Sequence, residues 1–141
     1  MKGTSPQIRR RARERAVQFL YGLDFTRYHW RDRLDDFWRD NPSREPVKKY
    51  AAHLIEGVTD NREELDAAIS EALDRWDPKR VGHIEQNILR IGLYEMRYAD
   101  DVPETVAITE AIEVARRFGA DEAPRFINAV LDRLKGERDH G

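Results

Sequence analysis

The strongest chemical signal in the sequence is a group of arginines close to its start. Residues 9–15 include five of them, at positions 9, 10, 11, 13 and 15, and residues 1–15 carry six basic side chains against the single acidic one of Glu14. Cations near the N-terminus of a helix oppose the helix dipole, so a purely structural role for the group is disfavoured. The group predicts an anionic partner, either a nucleic acid or an acidic protein surface.

An aromatic pair on the same predicted helix is the second signal. With about 100° of rotation per residue, Tyr21 lies opposite the apolar face, and Phe25 follows one turn later. The apolar face consists of Ile8, Ala12, Ala16, Phe19 and Leu23. Two interpretations are open: an exposed strip beside the arginines that binds a protein partner, or a strip covered by the second helix or the following loop.

No residue pattern in the sequence predicts catalysis. His83 and Glu85 have the H-x-E spacing of zinc deaminases, but that chemistry needs cysteine ligands and the chain has no cysteine. His29, His53 and His140 lie in different segments without the spacing of a metal site. Gly-rich phosphate loops and nucleophile elbows are absent as well. We therefore expect a protein that is not an enzyme and that carries no cofactor and no metal.

The spacing of apolar residues predicts the fold class. They recur every three or four residues along almost the whole chain, and strand-like alternation of useful length is absent. We predict an all-α fold of about seven helices in two packed three-helix-type lobes. The first helix is expected at about residues 6–27, with Ser5 as its cap and Pro6 at its first position. The apolar residues of the others span 30–38, 47–58, 65–76, about 80–99, 106–118 and 126–134.

Breaker residues predict where the helices of the first half end. The segment 41–46 contains two prolines and is expected to be a loop. Gly57 and the cluster of Thr59, Asp60 and Asn61 are expected to interrupt the third helix. Asp60 is expected to cap the fourth, which carries Trp76. Asp77 and the proline after it are expected to restart the chain.

Glycines and prolines also mark the second half. Gly92 lies in the most apolar helix and predicts the close approach of a neighbouring helix. The segment of residues 102–108 is compatible with an extended backbone at its start. Gly119 is expected to end the sixth helix, and Asp121 to cap the seventh, with Pro124 tolerated in its first turn.

The length of 141 residues suits one domain. We expect it to comprise a basic arm at 1–15, one lobe at about 6–76, a second at about 77–135 and a frayed tail at 136–141. The net charge of −2 divides into +5 over the arm and −7 over the rest, which suits a protein that meets a polyanion with one end. No apolar run approaches the roughly 18 residues of a membrane span and no signal peptide is recognisable, so we expect a soluble cytoplasmic protein.

Three stretches of the chain resemble the NusB family of transcription antitermination factors. They are residues 9–21 (RRRARERAVQFLY), 88–95 (ILRIGLYE) and 101–131 (DVPETVAITEAIEVARRFGADEAPRFINAVL). The resemblance implies a non-enzymatic protein with two perpendicular helical lobes. It also implies binding of the boxA element of ribosomal RNA leaders together with NusE, the small-subunit ribosomal protein. Other Nus factors and RNA polymerase follow as indirect partners, and both monomers and homodimers are compatible with the family.

The resemblance also assigns roles to single residues. Arg9, Arg10, Arg11 and Arg13 match its RNA-binding arm, and Arg125 and Phe126 match a secondary RNA surface. Tyr21 and Glu85 match positions that face NusE. Glu122, Ala123, Pro124 and Ala129 depart from the family pattern and affect the expected contacts around residues 121–126. We expect Asn128, between apolar neighbours, to be a hydrogen-bonded residue of the core.

Overall fold

The computed structural model describes residues 5–73 and 81–136, and these ranges contain helices, turns and loops but no strand. The all-α prediction is confirmed. The helices are α1 (Pro6–Leu23), α2 (Trp30–Asp40), α3 (Glu45–Asp60), α4 (Arg62–Leu73), α5 (His83–Tyr98), α6 (Glu104–Phe118) and α7 (Ala123–Leu134). No helix of the described chain is long and apolar enough to cross a bilayer.

Helix α1 begins as predicted and ends earlier. The Oγ of Ser5 accepts a hydrogen bond from the backbone N–H of Ile8 at 3.2 Å, and Pro6 takes the first helical position. The helix ends at Leu23 and not near residue 27, because the hydroxyl of Thr26 donates to the carbonyl of Leu23 and replaces the next helical turn.

The loop between α2 and α3 is shorter than predicted. Helix α3 already begins at Glu45, with Pro46 in its first turn, where proline is tolerated because its missing N–H would have no helical partner. Only residues 41–44 connect the two helices. This short connection brings residues 41–44 against the side chain of Arg15.

Gly57 does not interrupt α3, contrary to the prediction. A Cβ at this position would lie 2.2 Å from Cζ of Tyr94, so the glycine allows α5 to pack closely on α3. Asp60 is the last residue of α3 and not a cap of α4. The side-chain amide of Asn61 instead donates to the carbonyl of Gly57 at 2.7 Å and closes α3. Trp76 and Asp77 lie outside the described residues.

Helix α5 occupies the centre of the fold. It contacts α1, α3, α4, α6 and α7. A Cβ at Gly92 would lie 2.8 Å from Cδ1 of Leu131 and 3.3 Å from Cβ of Ala111, so the predicted close approach of neighbouring helices is confirmed. The division into two lobes stays a prediction. The described packing places α1 against α3 and α5, and α4 against α5 and α7.

At the ends of α6 and α7, two predictions are confirmed and one is wrong. Gly119 ends α6 as predicted. Helix α6 begins at Glu104, and Pro103 before it has φ −58° and ψ 146°, so only residues 102–103 of the segment 102–108 precede the helix. Asp121 does not cap α7, because Glu122 precedes the helix in the cap position and its side chain makes no capping bond. Pro124 lies in the first turn of α7, as predicted.

Candidate nucleic-acid interface

Arg9 fixes the first turn of α1 to the turn before α6. Its guanidinium donates to Oδ2 of Asp101 at 2.6 Å and lies 4.8 Å from the ring centroid of Tyr50. The hydrogen bond from Arg9 holds the pKa of Asp101 well below its usual range. The side chain of Arg9 is nearly buried by these contacts.

Arg13 is the most deeply buried arginine of the group. Only 5% of its side chain is exposed, and its Nε and Nη2 donate to the two carboxylate oxygens of Glu95 at 2.7 and 2.9 Å. Burial lowers the pKa of Arg13, but the hydrogen bonds and charge of Glu95 raise it overall. Tyr50 donates to the same carboxylate at 2.5 Å, and burial, followed by the charge of Glu95, raises the pKa of its hydroxyl. Arg13 therefore pairs with a carboxylate inside the fold, an arrangement that the sequence did not indicate.

Arg10 points to the outside of the molecule, with 53% of its side chain exposed. Its Nε and Nη2 donate to the two oxygens of Glu110 on α6 at 2.9 and 2.8 Å. The hydrogen bond from Arg10 lowers the pKa of Glu110, which also accepts from Arg13 at 3.3 Å. This two-pronged geometry is the one that guanidinium groups use to bind phosphate.

Arg11 and Arg15 lie on the side of α1 that faces α3. Arg11 is 42% exposed and pairs with Glu14 at 3.0 Å, and the same carboxylate lies 3.5 Å from Arg117 on α6. Arg15 is buried and donates to the side chains of Ser43 and Asn41 at 3.0 and 3.2 Å. Of the five arginines, Arg10 and Arg11 therefore present the most accessible guanidinium groups.

The second predicted RNA surface lies at the start of α7. Arg125 is exposed and forms no ion pair within the described residues, whereas Phe126 is half-buried against the core. A cavity of about 370 Å³ lies here, lined by Ile112, Arg116, Asp121, Glu122, Pro124, Arg125 and Asn128. The prediction that Asn128 belongs to the core is wrong, because this residue is exposed beside the cavity.

Helix α6 connects the arginine group with this cavity. Glu110 holds Arg10, and Arg117 contacts Glu14 beside Arg11. Arg116 lines the cavity next to Arg125. These contacts place the basic residues of α1, α6 and α7 on adjoining parts of the surface, an arrangement that the sequence spacing does not reveal.

The aromatic strip of Tyr21 and Phe25 is exposed, so the interpretation that the second helix or the following loop covers it is wrong. Tyr21 is 40% and Phe25 is 62% exposed, and their rings meet edge to face with centroids 5.1 Å apart. Phe25 also contacts the ring of His83, with centroids 4.9 Å apart, at the start of α5. Glu85 lies in the same turn of α5 and accepts a hydrogen bond from the backbone N–H of Ala120 at 3.1 Å. Because the ring of Phe25 contacts both Tyr21 and His83, Tyr21 lies close to the N-terminal end of α5, which carries Glu85.

The described part of the chain gathers no group of three histidine or acidic side chains able to hold a metal ion. The sequence model of the NusB family matches residues 10–135. The chain belongs to the NusB family. The transcription antitermination protein NusB of Desulfotalea psychrophila is 41% identical over 134 residues, which cover 91% of this chain and 95% of that protein.

Solved structures of NusB proteins share the fold. NusB from T. maritima is 32% identical and matches with a TM-score of 0.83, over 96% of this chain and 94% of that one. One chain in the crystal structure of the antitermination factors NusB and NusE in complex with dsRNA matches with a TM-score of 0.81, over 92% of this chain and 97% of that one. At 22% identity this second likeness shows the fold alone. The predicted family and the NusB fold are confirmed.

Proposed function

We propose that this NusB-family protein is a non-enzymatic adaptor of transcription antitermination in the cytoplasm. It binds single-stranded boxA-like RNA of ribosomal RNA transcripts together with NusE, and so supports processive rRNA transcription. Other Nus factors and RNA polymerase are its indirect partners. The observation that carries the proposal is the exposed pair Arg10 and Arg11, held on a packed helix beside an exposed aromatic strip.

The arginines of α1 have two different roles in binding the RNA backbone. Arg10 and Arg11 donate to phosphates, because their guanidinium groups are accessible. Arg9 and Arg13 belong to the same RNA-binding arm, but they are held by Asp101 and Glu95. They contribute positive potential and fix the orientation of the helix that presents the other two.

The start of α7 supplies the contacts to bases. Arg125 adds a cation, and the half-buried ring of Phe126 offers a face on which an unstacked base can stack. Ala123 and Pro124, which depart from the family pattern, form the first turn of α7 beside these two residues. The base contacts provide selection, whereas the arginines of α1 provide affinity.

NusE binds at the aromatic strip. Tyr21 and Phe25 supply exposed apolar area, and Glu85 supplies a carboxylate at the neighbouring end of α5. Aromatic side chains with a polar tip are enriched where proteins bind one another. A charge at the centre of this strip is costly to bury, so Tyr21→Asp is expected to abolish NusE binding.

The test is a fluorescence-anisotropy titration of a boxA-like RNA and of its scrambled control, with and without purified NusE. We expect NusE to tighten binding of the matched RNA only, and the double variant Arg10→Ala/Arg11→Ala to lose this binding. The variant Arg31→Ala is the matched control, because this exposed arginine pairs with Glu56 away from α1. With four or five phosphate contacts, log affinity should fall with log salt at a slope of roughly −3 to −3.5.

A salt-independent affinity contradicts the proposed RNA contact. If neither RNA responds to NusE or to the arginine substitutions, the arm binds an acidic protein surface instead. In that case Tyr21→Asp still abolishes binding of the protein partner, while matched and scrambled RNAs bind equally weakly.

A further inference from the structure

We propose that a second RNA phosphate site lies between α1 and the α2–α3 connection, formed by Arg11 and Arg44. This inference rests on the proposed function and extends the RNA path beyond the boxA-like element. It predicts that nucleotides flanking the element are held by their backbone, between α1 and the α2–α3 connection.

The site is a cavity of about 440 Å³, lined by Arg11, Pro42, Ser43, Arg44 and Val47. Val47 is buried and forms an apolar wall of the cavity, whereas Arg44 is exposed. Arg44 forms no ion pair within the described residues. Its guanidinium is therefore a cation at the edge of a cavity, without a carboxylate of its own.

A buried cation behind the cavity adds to the positive potential. Arg15 is more than nine-tenths buried, and its hydrogen-bond partners among the described residues are all neutral: Ser43, Asn41, Gln18 and the carbonyl of Pro42, at 3.0 to 3.5 Å. Burial and the charge of Arg11 lower the pKa of Arg15. The side chain of Ser43, which lines the cavity, is thus held by a cation that forms no ion pair within the described part of the chain.

The acidic groups around the cavity do not balance these cations. Glu14 pairs with Arg11, but it is shared with Arg117, and Glu45 pairs with Lys48 at 3.4 Å. The cations of α1, α3 and the connection therefore outnumber the carboxylates. A phosphate is the ligand that supplies the missing negative charge and accepts from two guanidinium groups at once.

RNA fits this site better than a protein because the cavity continues the proposed RNA-binding arm. Arg11 belongs to both: it follows Arg10 directly in α1 and also lines the cavity. The lining contains no aromatic ring on which a base could stack. Contacts here are expected to involve the sugar-phosphate backbone and to carry no sequence preference.

The experiment compares a minimal boxA-like RNA with the same RNA extended by about five nucleotides at its 5′ or 3′ end, in complex with the full-length protein and NusE. For the wild type we expect one of the two extensions to tighten binding, equally for flanks of different sequence. The extension should also steepen the salt dependence by about 0.7 for each added phosphate contact. Arg44→Ala should remove both gains and leave binding of the minimal RNA unchanged.

Arg31→Ala is the matched control, since it removes one exposed arginine from the far end of α2 and should keep the full gain. Arg44→Glu should weaken binding of the extended RNA further than Arg44→Ala does. Thermal melting of both Arg44 variants verifies that they fold. The inference is overturned if the minimal RNA binds but neither extension tightens it, or if Arg44→Ala keeps the gain. It is also overturned if Arg44→Ala weakens NusE binding without RNA, since the site then serves a protein.

Failure of the minimal RNA to bind the wild-type protein is a different result. That outcome contradicts the proposed function itself, because the arm then makes no RNA contact from which the path could extend.

Discussion

At the scale of single residues, the arginines of α1 differ in burial far more than their uniform sequence suggests. Arg13 is 5% exposed and pairs with Glu95, whereas Arg10, three positions earlier, is 53% exposed and pairs with Glu110. Removing one partner of a buried pair leaves a charge in the core, while an exposed pair contributes little to stability. The exposed pairs are therefore the ones that can open to accept RNA.

Glu110 is expected to compete with RNA for Arg10, because its carboxylate accepts hydrogen bonds from both Nε and Nη2 of that guanidinium. Glu110→Gln should tighten RNA binding by up to about fivefold, the range that an exposed ion pair contributes. Anisotropy titrations at one fixed salt concentration measure this effect. Glu56→Gln is the control, since it frees Arg31 outside the proposed RNA surface.

The effect of Glu110→Gln should disappear when Arg10 is replaced as well. If Arg10→Ala/Glu110→Gln still binds RNA more tightly than Arg10→Ala by the same factor, Glu110 acts through its charge alone and not through Arg10. Thermal unfolding of Glu110→Gln verifies that its weaker contact with Arg13, at 3.3 Å, does not disturb α1.

At the scale of helices, the contact between α3 and α5 depends on the absence of a side chain at Gly57. The ring of Tyr94 fills the space where a Cβ would lie, and this ring is itself buried. Gly57→Ala should lower the free energy of unfolding by about 1–3 kcal/mol, as expected for an overpacked core. Urea unfolding measures this change.

Gly22→Ala is the matched control for this prediction. Gly22 also lies in a helix, but a Cβ there would meet nothing within 4 Å. This substitution should be neutral or raise the free energy of unfolding by up to about 1 kcal/mol, because alanine loses less conformational entropy than glycine. Equal destabilisation by both substitutions would contradict the packing argument.

The sequence predicts helices better than it predicts their ends. Apolar spacing identifies the core face of each helix, but the prediction that Gly57 interrupts α3 is wrong because local propensity takes no account of the packing of Tyr94. The candidate site shows the same limit. Arg13 and Glu95 are 82 residues apart in the chain, and Arg10 and Glu110 are 100 apart. Charge composition locates the arginine group, but only the fold shows which of its members are paired internally.

At the scale of the whole molecule, two carboxylates attach the arm to the α5–α6 turn and to α6. Hydrogen bonds from Arg9 and Arg10 lower the pKa of Asp101 and of Glu110, respectively. Each group therefore adds stability above its unfolded-state pKa of about 4, and this contribution is lost as the pH falls through the lowered folded-state pKa. The free energy of unfolding should fall from about pH 5 downward.

Asp101→Asn/Glu110→Gln tests this acid dependence. At pH 6 we expect the double variant to be less stable than the wild type by about 1 kcal/mol, since Asp101 is half-exposed and its pair is screened by solvent. Below pH 4 the difference between the two proteins should narrow steadily, since the carboxylates of the wild type become protonated only as the pH falls toward their lowered pKa values. Urea unfolding between pH 6 and pH 3 measures both curves, and a constant difference across this range would show that the two carboxylates are not responsible.

The buried pairing of Arg13 with Glu95 also constrains how the sequence of this protein can diverge. Loss of either charge alone leaves the other uncompensated in the core, whereas exchange of both for apolar side chains of similar volume leaves no unpaired charge. Substitutions at positions 13 and 95 are therefore expected to occur together among relatives. We thus expect the arginine motif of α1 to vary jointly with a carboxylate of α5, and a comparison of this motif between species has to include position 95.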